Sequence, residues 1–271
     1  MISSRISGAS QRNSKLREVR AKGANKAWVA TRRKGMVGPG TVLLVGGASI
    51  LDFRLRVAQS HLRHDLLPSF WSIAGVMSAR DRVLTVPLDE QLAPTDVPSH
   101  NAIHECPLSA YDDPRRYPNI AVVNFARHGE VIAKNVRRLS HQRSAIDLPH
   151  LLVQWLGFVW GAAAAPNPLV QSVGIPGAAL TETAFGMSGI ELTPGIASGA
   201  SCPEAVWQSA VWWHEYYART SDIRIDGQRV DRRSAGGGED PVSIVPWGEC
   251  VIRQPAAAVV ERAGSTRKES E

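Results

Sequence analysis

The sequence is poor in the features that would settle its class at once. Cysteine is scarce: Cys106, Cys202 and Cys250 are odd in number and far apart. They cannot form a disulfide framework, and unpaired thiols suit a reducing, cytoplasmic compartment. Long apolar runs are also lacking. Leu151 to Ala165 (LLVQWLGFVWGAAAA) is fifteen residues and contains Gln154, whereas a membrane-spanning helix needs about twenty. The run reads as a buried core helix that stops at Pro166, and no transmembrane helix is expected.

Acidic residues are nearly missing from the first 34 positions, where Glu18 alone stands against ten Lys or Arg; the formal charge of +6 therefore belongs to this arm, and the rest of the chain sums to −3. The arm is rich in Ser, Gly and Arg with few large apolar residues, so it reads as disordered or weakly helical and dispensable for folding. It has no apolar h-region and is not read as a secretory signal peptide. Its charge suits a polyanion such as RNA or DNA, an anionic membrane, or an acidic partner, through residues 1–34.

Several chemical signatures are incomplete. LLVGGAS (Leu43 to Ser49) lacks both G-x-G-x-x-G spacing and a Walker Lys, and neither GAS (Gly47 to Ser49) nor GMSGI (Gly186 to Ile190) completes a G-x-S-x-G elbow. His104-Glu105-Cys106 offers ligands at spacing two with no second close pair, short of a structural zinc pattern. No cofactor and no metal are expected. No repeat of fixed period is present.

What is there is enough apolar material for a core, 44% of 271 residues. The organisation expected is a basic arm (1–37), one domain (38–219), and a C-terminal hairpin with a flexible tail (220–271). Strands are expected at TVLLVGG (Thr41 to Gly47), FWSIAGVMS (Phe70 to Ser78), RVLTVPL (Arg82 to Leu88), NAIHECPL (Asn101 to Leu108) and NIAVVNFA (Asn119 to Ala126). Ile50 to Leu66 mixes apolar and basic residues and reads as loop plus a short helix. Ala145 to Trp160 has the length and apolar density of a core helix, with Asp147 as N-cap. Residues 166 to 200, broken by Gly and Pro, are expected to wrap the surface as loops and short helices. IRIDGQRV (Ile223 to Val230) carries Asp-Gly between alternating apolar residues, a type I′ hairpin signal.

The sharpest chemical feature is Cys202, set where the small-residue stretch ASGAS turns into PEAVWQSAVWWHEYY. Ser201 and Glu204 fit a capping box, which would place Cys202 in the first turn of a helix. Val206, Ala210, Trp213 and Tyr217 recur at spacings of four, three and four, one stripe to bury. Unpaired amides and the positive end of the macrodipole at a helix start favour thiolate, so Cys202 is expected to be the most reactive of the three cysteines. The alternative is a small hydrophobe packed at a helix start. Trp212 and Trp213, with Tyr216 and Tyr217, could stack bases or a lipid; adjacent positions diverge by about 100°, and core or partial core is the simpler account of them.

The order of these pieces resembles the circularly permuted papain-like superfamily, which includes NlpC-type amidases and the lecithin–retinol acyltransferase group. The matching stretches are PGTVLLV (Pro39 to Val45), WSIAGVM (Trp71 to Met77), AIHECPL (Ala102 to Leu108) and CPEAVW (Cys202 to Trp207). The resemblance implies an α+β fold, a small and mostly antiparallel sheet packed against core helices. It also implies a cysteine hydrolase or acyltransferase acting on an amide or ester, with Cys202 as nucleophile and His104 or Glu105 as base or orienter. Ile73 stands where the family places its base histidine. His104 and Glu105 are consecutive in a strand, so at most one can address Cys202 without a bulge. His214 lies twelve residues along the helix, about 18 Å away. His61 and His64 could fold over a site, although a polar helix surface accounts for them as well. The competing expectation is a non-catalytic binding or scaffold protein of the same fold, localised by its basic arm.

Overall fold

The computed structural model of the protein describes residues 16–32, 37–88, 101–125, 129–142, 145–161, 165–220, 224–225, 228–229 and 246–254. The fold is α+β. Its centre is an open antiparallel sheet in the order β9-β6-β2-β3-β4-β5, formed by β2 (Val42–Gly46), β3 (Ile73–Ala79), β4 (Arg82–Thr85), β5 (His104–Pro107), β6 (Asn119–Asn124) and β9 (Trp247–Val251). A two-residue strand, β1 (Arg17–Glu18), adds to the β9 edge in parallel.

Alternation along the strands sends side chains to two separate cores. Val42 and Leu44 of β2, with Ala74 and Val76 of β3 and Ala121 and Val123 of β6, face a layer made by α3 (Gly129–Leu139), α4 (Leu148–Val159), α5 (Pro176–Gly186) and α6 (Pro203–Thr220). Leu43, Val45, Met77, Ile120 and Val122 face the other way, against α1 (Asn25–Ala30) and the single-turn segment Leu108–Tyr111. Burial on both faces explains why β2 is a continuous apolar run. A third cluster lies between α2 (Ile50–Ala58), α4 and the start of α6.

The five expected strands and the Leu148–Val159 helix are present, the latter capped by Asp147, whose carboxylate accepts the His150 amide. β7 (Arg224–Ile225) and β8 (Gln228–Arg229) pair as the hairpin that Asp-Gly announces. Three expectations are corrected. The segment read as a disordered arm supplies β1 and α1 from residues 16–32: Trp28 and Val29 are buried in the second core, and Asn25 Nδ2 donates to the carbonyls of Tyr111 and Tyr117. The same reading of residues 1–15 lies outside the described residues. The domain also does not end at residue 219, because β9 sits inside the sheet between β1 and β6. Finally, α5 does not wrap the surface. It is buried along nearly its whole length, and a side chain at Gly177 would collide with the Ala74 carbonyl, so glycine is what lets α5 seat its first turn on β3.

α3 has no counterpart among the expected elements, although Ile132, Ala133, Val136 and Leu139 are buried at helical spacing. Among the described residues no helix is long and apolar enough to cross a membrane.

Candidate functional site

Six buried polar side chains, Arg56, Gln59, Arg63, Ser69, Ser201 and Glu204, gather around the start of α6. Pro203 opens the helix, and the residue before a proline is held extended. The N-cap is therefore Cys202 and not Ser201. The Cys202 carbonyl accepts the Val206 amide at 3.1 Å, and the amides of Ala205 and Glu204 draw the pKa of its thiol down. Ser201 instead offers its carbonyl to the Ile175 amide, and its hydroxyl is buried with no hydrogen-bond partner.

Cys202 is 0% exposed, packed with Leu55, Ala58, Trp155, Val159 and Ile175. Burial pushes its thiol up to about 12, and the nearby Glu204 charge adds to the rise against the opposing pull of the Ala205 and Glu204 amides. Desolvation has outweighed the helix terminus. The expected depressed pKa is thus reversed, and Cys202 and Cys250 both stand at about 12.

His104 and Glu105 do face opposite sides of β5. Glu105 points toward α3: the Ser78 hydroxyl donates to it, and Arg82 and Arg137 lie 3.5 and 3.7 Å from its carboxylate. His104 shares its face with Cys106, which belongs to the core on the α1 side. No hydrogen bond or ion pair among the described residues joins either of them to Cys202. β3 and β5 share one sheet but are separated by β4. His214 is buried and set 3.3 Å from the Pro246 carbonyl, and His61 and His64 are exposed.

Partial burial lowers the His104 pKa below 6.5. The unfolded chain then takes up a proton before the folded one does, so stability present above about pH 6.5 declines as pH falls through that value. Urea midpoints between pH 7.5 and 5.5 are expected to show this decline and a flatter profile for His104→Gln; identical profiles would mean the imidazole titrates freely.

What the α6 start does engage is the segment leading from α2 into β3. The Glu204 amide donates to Gln59 Oε1 at 2.8 Å, and its carboxylate accepts from the Ser69 hydroxyl and from Gln208, each at 2.6 Å, with Arg63 at 3.6 Å. Gln59 Nε2 donates onward to the carbonyls of Leu55 and Trp71, and Arg56 Nε to that of Ser69. Trp71 and Trp207 meet at 5.2 Å between ring centroids. This network locks α6 against the α2–β3 connection, and its partners come from positions more than a hundred residues apart. Asp52, the other buried carboxylate nearby, is occupied in the same structural way by the hydroxyls of Ser49 and Ser72, each at 2.6 Å.

Beyond this lock, α6 floors an open groove of about 440 Å³, closed on its sides by Leu62 and by the Thr193–Ile196 loop. Ala205, Gln208, Ser209, Trp212 and Trp213 form the floor. The loop is held by the Glu182 carboxylate, which accepts the amides of Leu192 and Thr193, and by Ser209, whose hydroxyl donates to the Leu192 carbonyl. Trp212 is 55% and Tyr216 42% exposed, stacked at 5.3 Å with an interplanar angle of 12°. Trp213 is half-buried, as the partial-core account expects, while Trp212 is too exposed to be core. The buried stripe runs through Val206, Ala210 and His214 instead, four apart; the side chain of Tyr217 lies outside the described residues. Compared with known proteins, the chain matches no family model, no curated protein and no solved structure.

Proposed function

We propose that the protein is a non-catalytic binding protein of the permuted papain-like kind, and that the groove along α6 is its binding site for a largely apolar ligand. The carrying observation is the contrast within one helix. At its N-cap the sulfur of Cys202 is sealed in a core, while about three turns later Trp212 stands open to solvent and half-buried Trp213 lines the groove beside it. Ile73 fits the same reading, since an aliphatic residue stands where the resemblance puts a base. The groove's size and apolar lining with a few polar groups are those of a ligand site, and aromatic anchors supply much of the energy at such surfaces.

Two measurements on the full-length protein test this. Fluorescence titration with anilinonaphthalene sulfonate is expected to show saturable binding that Trp212→Ala weakens about tenfold and Cys202→Ala leaves unchanged. Limiting iodoacetamide is expected to label Cys202 only after denaturation, because attack needs both thiolate and access. The thiol hydrolase or acyltransferase reading, with His104 or Glu105 assisting, returns if Cys202 labels first in the native protein and Cys202→Ala abolishes turnover of an amide or ester substrate.

A further inference from the structure

We propose that Glu182 is a proton-operated latch on the groove: with its carboxyl protonated it holds the wall formed by residues 193–196 closed, and loss of that proton to solvent lets the wall go. The proposal rests on the groove being the binding site and concerns how that site is regulated. Glu182 lies in the middle of α5, a helix buried along nearly its whole length, and is itself 3% exposed. Its Oε1 accepts the amides of Leu192 and Thr193 at 3.0 and 3.2 Å. One side chain on a fixed helix thus fastens the segment from which Thr193, Pro194 and Ile196 line the groove. A second fastening comes from the floor, where the Ser209 hydroxyl donates to the Leu192 carbonyl. Gly189 at φ 73° and Gly195 at φ 85° are points about which this backbone can turn, each with open space where a side chain would stand.

The latch is poised by what surrounds it. Oε2 of Glu182 and the Thr193 hydroxyl adjoin, yet both are buried with no partner at hydrogen-bond distance. A proton on Oε2 can be donated to Thr193 Oγ1 while Oε1 keeps both amides. The ionised form can accept from the same hydroxyl, but it leaves a charge buried beside no cation. Among the packed elements, α3 turns Asn135 to the Ala184 carbonyl and exposes Glu130, Lys134, Arg137 and Arg138, and β3 brings Ala74 and Val76. The one titratable side chain of α4, His150, is exposed. On α6, Glu204 is tied to Arg63, His214 faces the Pro246 carbonyl, and Glu215 is exposed. The charge that does act on Glu182 is Glu191, of the same sign. Burial, with Glu191 adding to it, pushes the Glu182 carboxyl above its ordinary 4.5 against the pull of Thr193 and the Leu192 amide. With the wall open the carboxyl meets water and returns toward that value, so the closed form binds the proton more tightly. Closure is therefore fully favoured below the ordinary value and is lost as pH rises through the closed-form pKa. A ligand that needs the wall binds in proportion to the closed population.

The test titrates full-length protein with N-phenyl-1-naphthylamine, an uncharged fluorescent probe whose binding does not follow the protein's net charge, from about pH 5 to about pH 8. The wild type is expected to bind at least about fivefold more weakly at the upper end, the low end of ordinary coupling between two sites. Glu182→Gln keeps an oxygen for the two amides, and its own amide can donate to Thr193 as the protonated carboxyl does. It should therefore bind tightly across the whole range, and Glu182→Ala weakly across the whole range. Circular dichroism at each pH confirms that the variants are folded; if Glu182→Ala is not, the flat profile of Glu182→Gln still decides. A flat wild-type profile, or a slope that Glu182→Gln retains, overturns the latch, while binding that depends on Trp212 keeps the groove. If the probe binds at no pH, the groove reading falls and hydrogen exchange at the Leu192 and Thr193 amides judges the latch alone. The latch stands if their protection declines with rising pH in the wild type and not in Glu182→Gln, and it falls if the two proteins behave alike.

Discussion

Glu204→Ala is expected to destabilise the protein by about 3 kcal/mol, because removing one partner from a buried charged network strands the others. The Glu204 side chain is fully buried and holds the Ser69 hydroxyl, the Gln208 amide and the Arg63 guanidinium. Arg63 keeps Asp65 at 2.6 Å and the Phe70 ring at 4.7 Å, which limits the loss. The Ser69 hydroxyl keeps only the Trp71 amide, which donates to it at 2.9 Å, and Gln208 has no other side-chain partner among the described residues. For a chain of this size the change corresponds to a fall in melting temperature of roughly 6–12 °C. Glu204→Gln preserves the shape and can still accept from Ser69, so it should cost about half as much. Equal urea midpoints for wild type and Glu204→Ala would mean that α6 is held by its apolar face alone.

Removing residues 1–32 is expected to unfold the protein or leave it molten, whereas removing residues 1–15 should leave the melting temperature nearly unchanged. The longer deletion takes away β1, α1 and the buried Trp28 and Val29, and it exposes the sheet face made by Leu43, Val45, Met77 and Val122. It also breaks a clasp between the two ends of the described chain. Arg253 donates to Asn25 Oδ1 at 2.7 Å and to the Gly23 carbonyl at 3.2 Å, and Arg32 pairs with Glu249 while lying over the Trp28 ring at 5.1 Å. Trp28→Ala alone should cost about 3–5 kcal/mol, against a total that for most domains is about 5–15 kcal/mol. Calorimetry of the two truncations separates the outcomes; equal melting temperatures for full-length and 1–32-deleted protein would show that this segment only rests on the core.

The division between what was legible in the sequence and what was not follows the range of the interactions involved. Five strands, the Asp147-capped helix, the Asp-Gly hairpin and the helix after Cys202 could be read from the sequence because each rests on periodicity or turn chemistry within a few residues. The N-cap was within reach too, since Pro203 at the first helical position points to Cys202. α3 carried a readable stripe. β1, by contrast, is two residues long and has no pattern of its own; only the free edge of β9 makes it a strand. Gly177 and the small residues of α5 look like a surface stretch in isolation, and become a buried helix because β3 lies against them.

The same holds for the site. Local sequence placed a thiol at a helix terminus, where a dipole argument favours thiolate, and it placed five aromatics on the helix that follows. It could not say which effect governs each of them. The Cys202 pKa is decided by desolvation, and the groups that exclude water from it, Leu55, Trp155 and Ile175, come from three separate elements remote in the chain. Trp212 is open because the Leu62 turn and the Thr193–Ile196 loop stop short of covering it. The sequence by itself determined the α+β class and where the reactive and aromatic groups lie along the chain; tertiary packing decided which of them are sealed and which face solvent, because burial is a property of neighbours that no local pattern encodes.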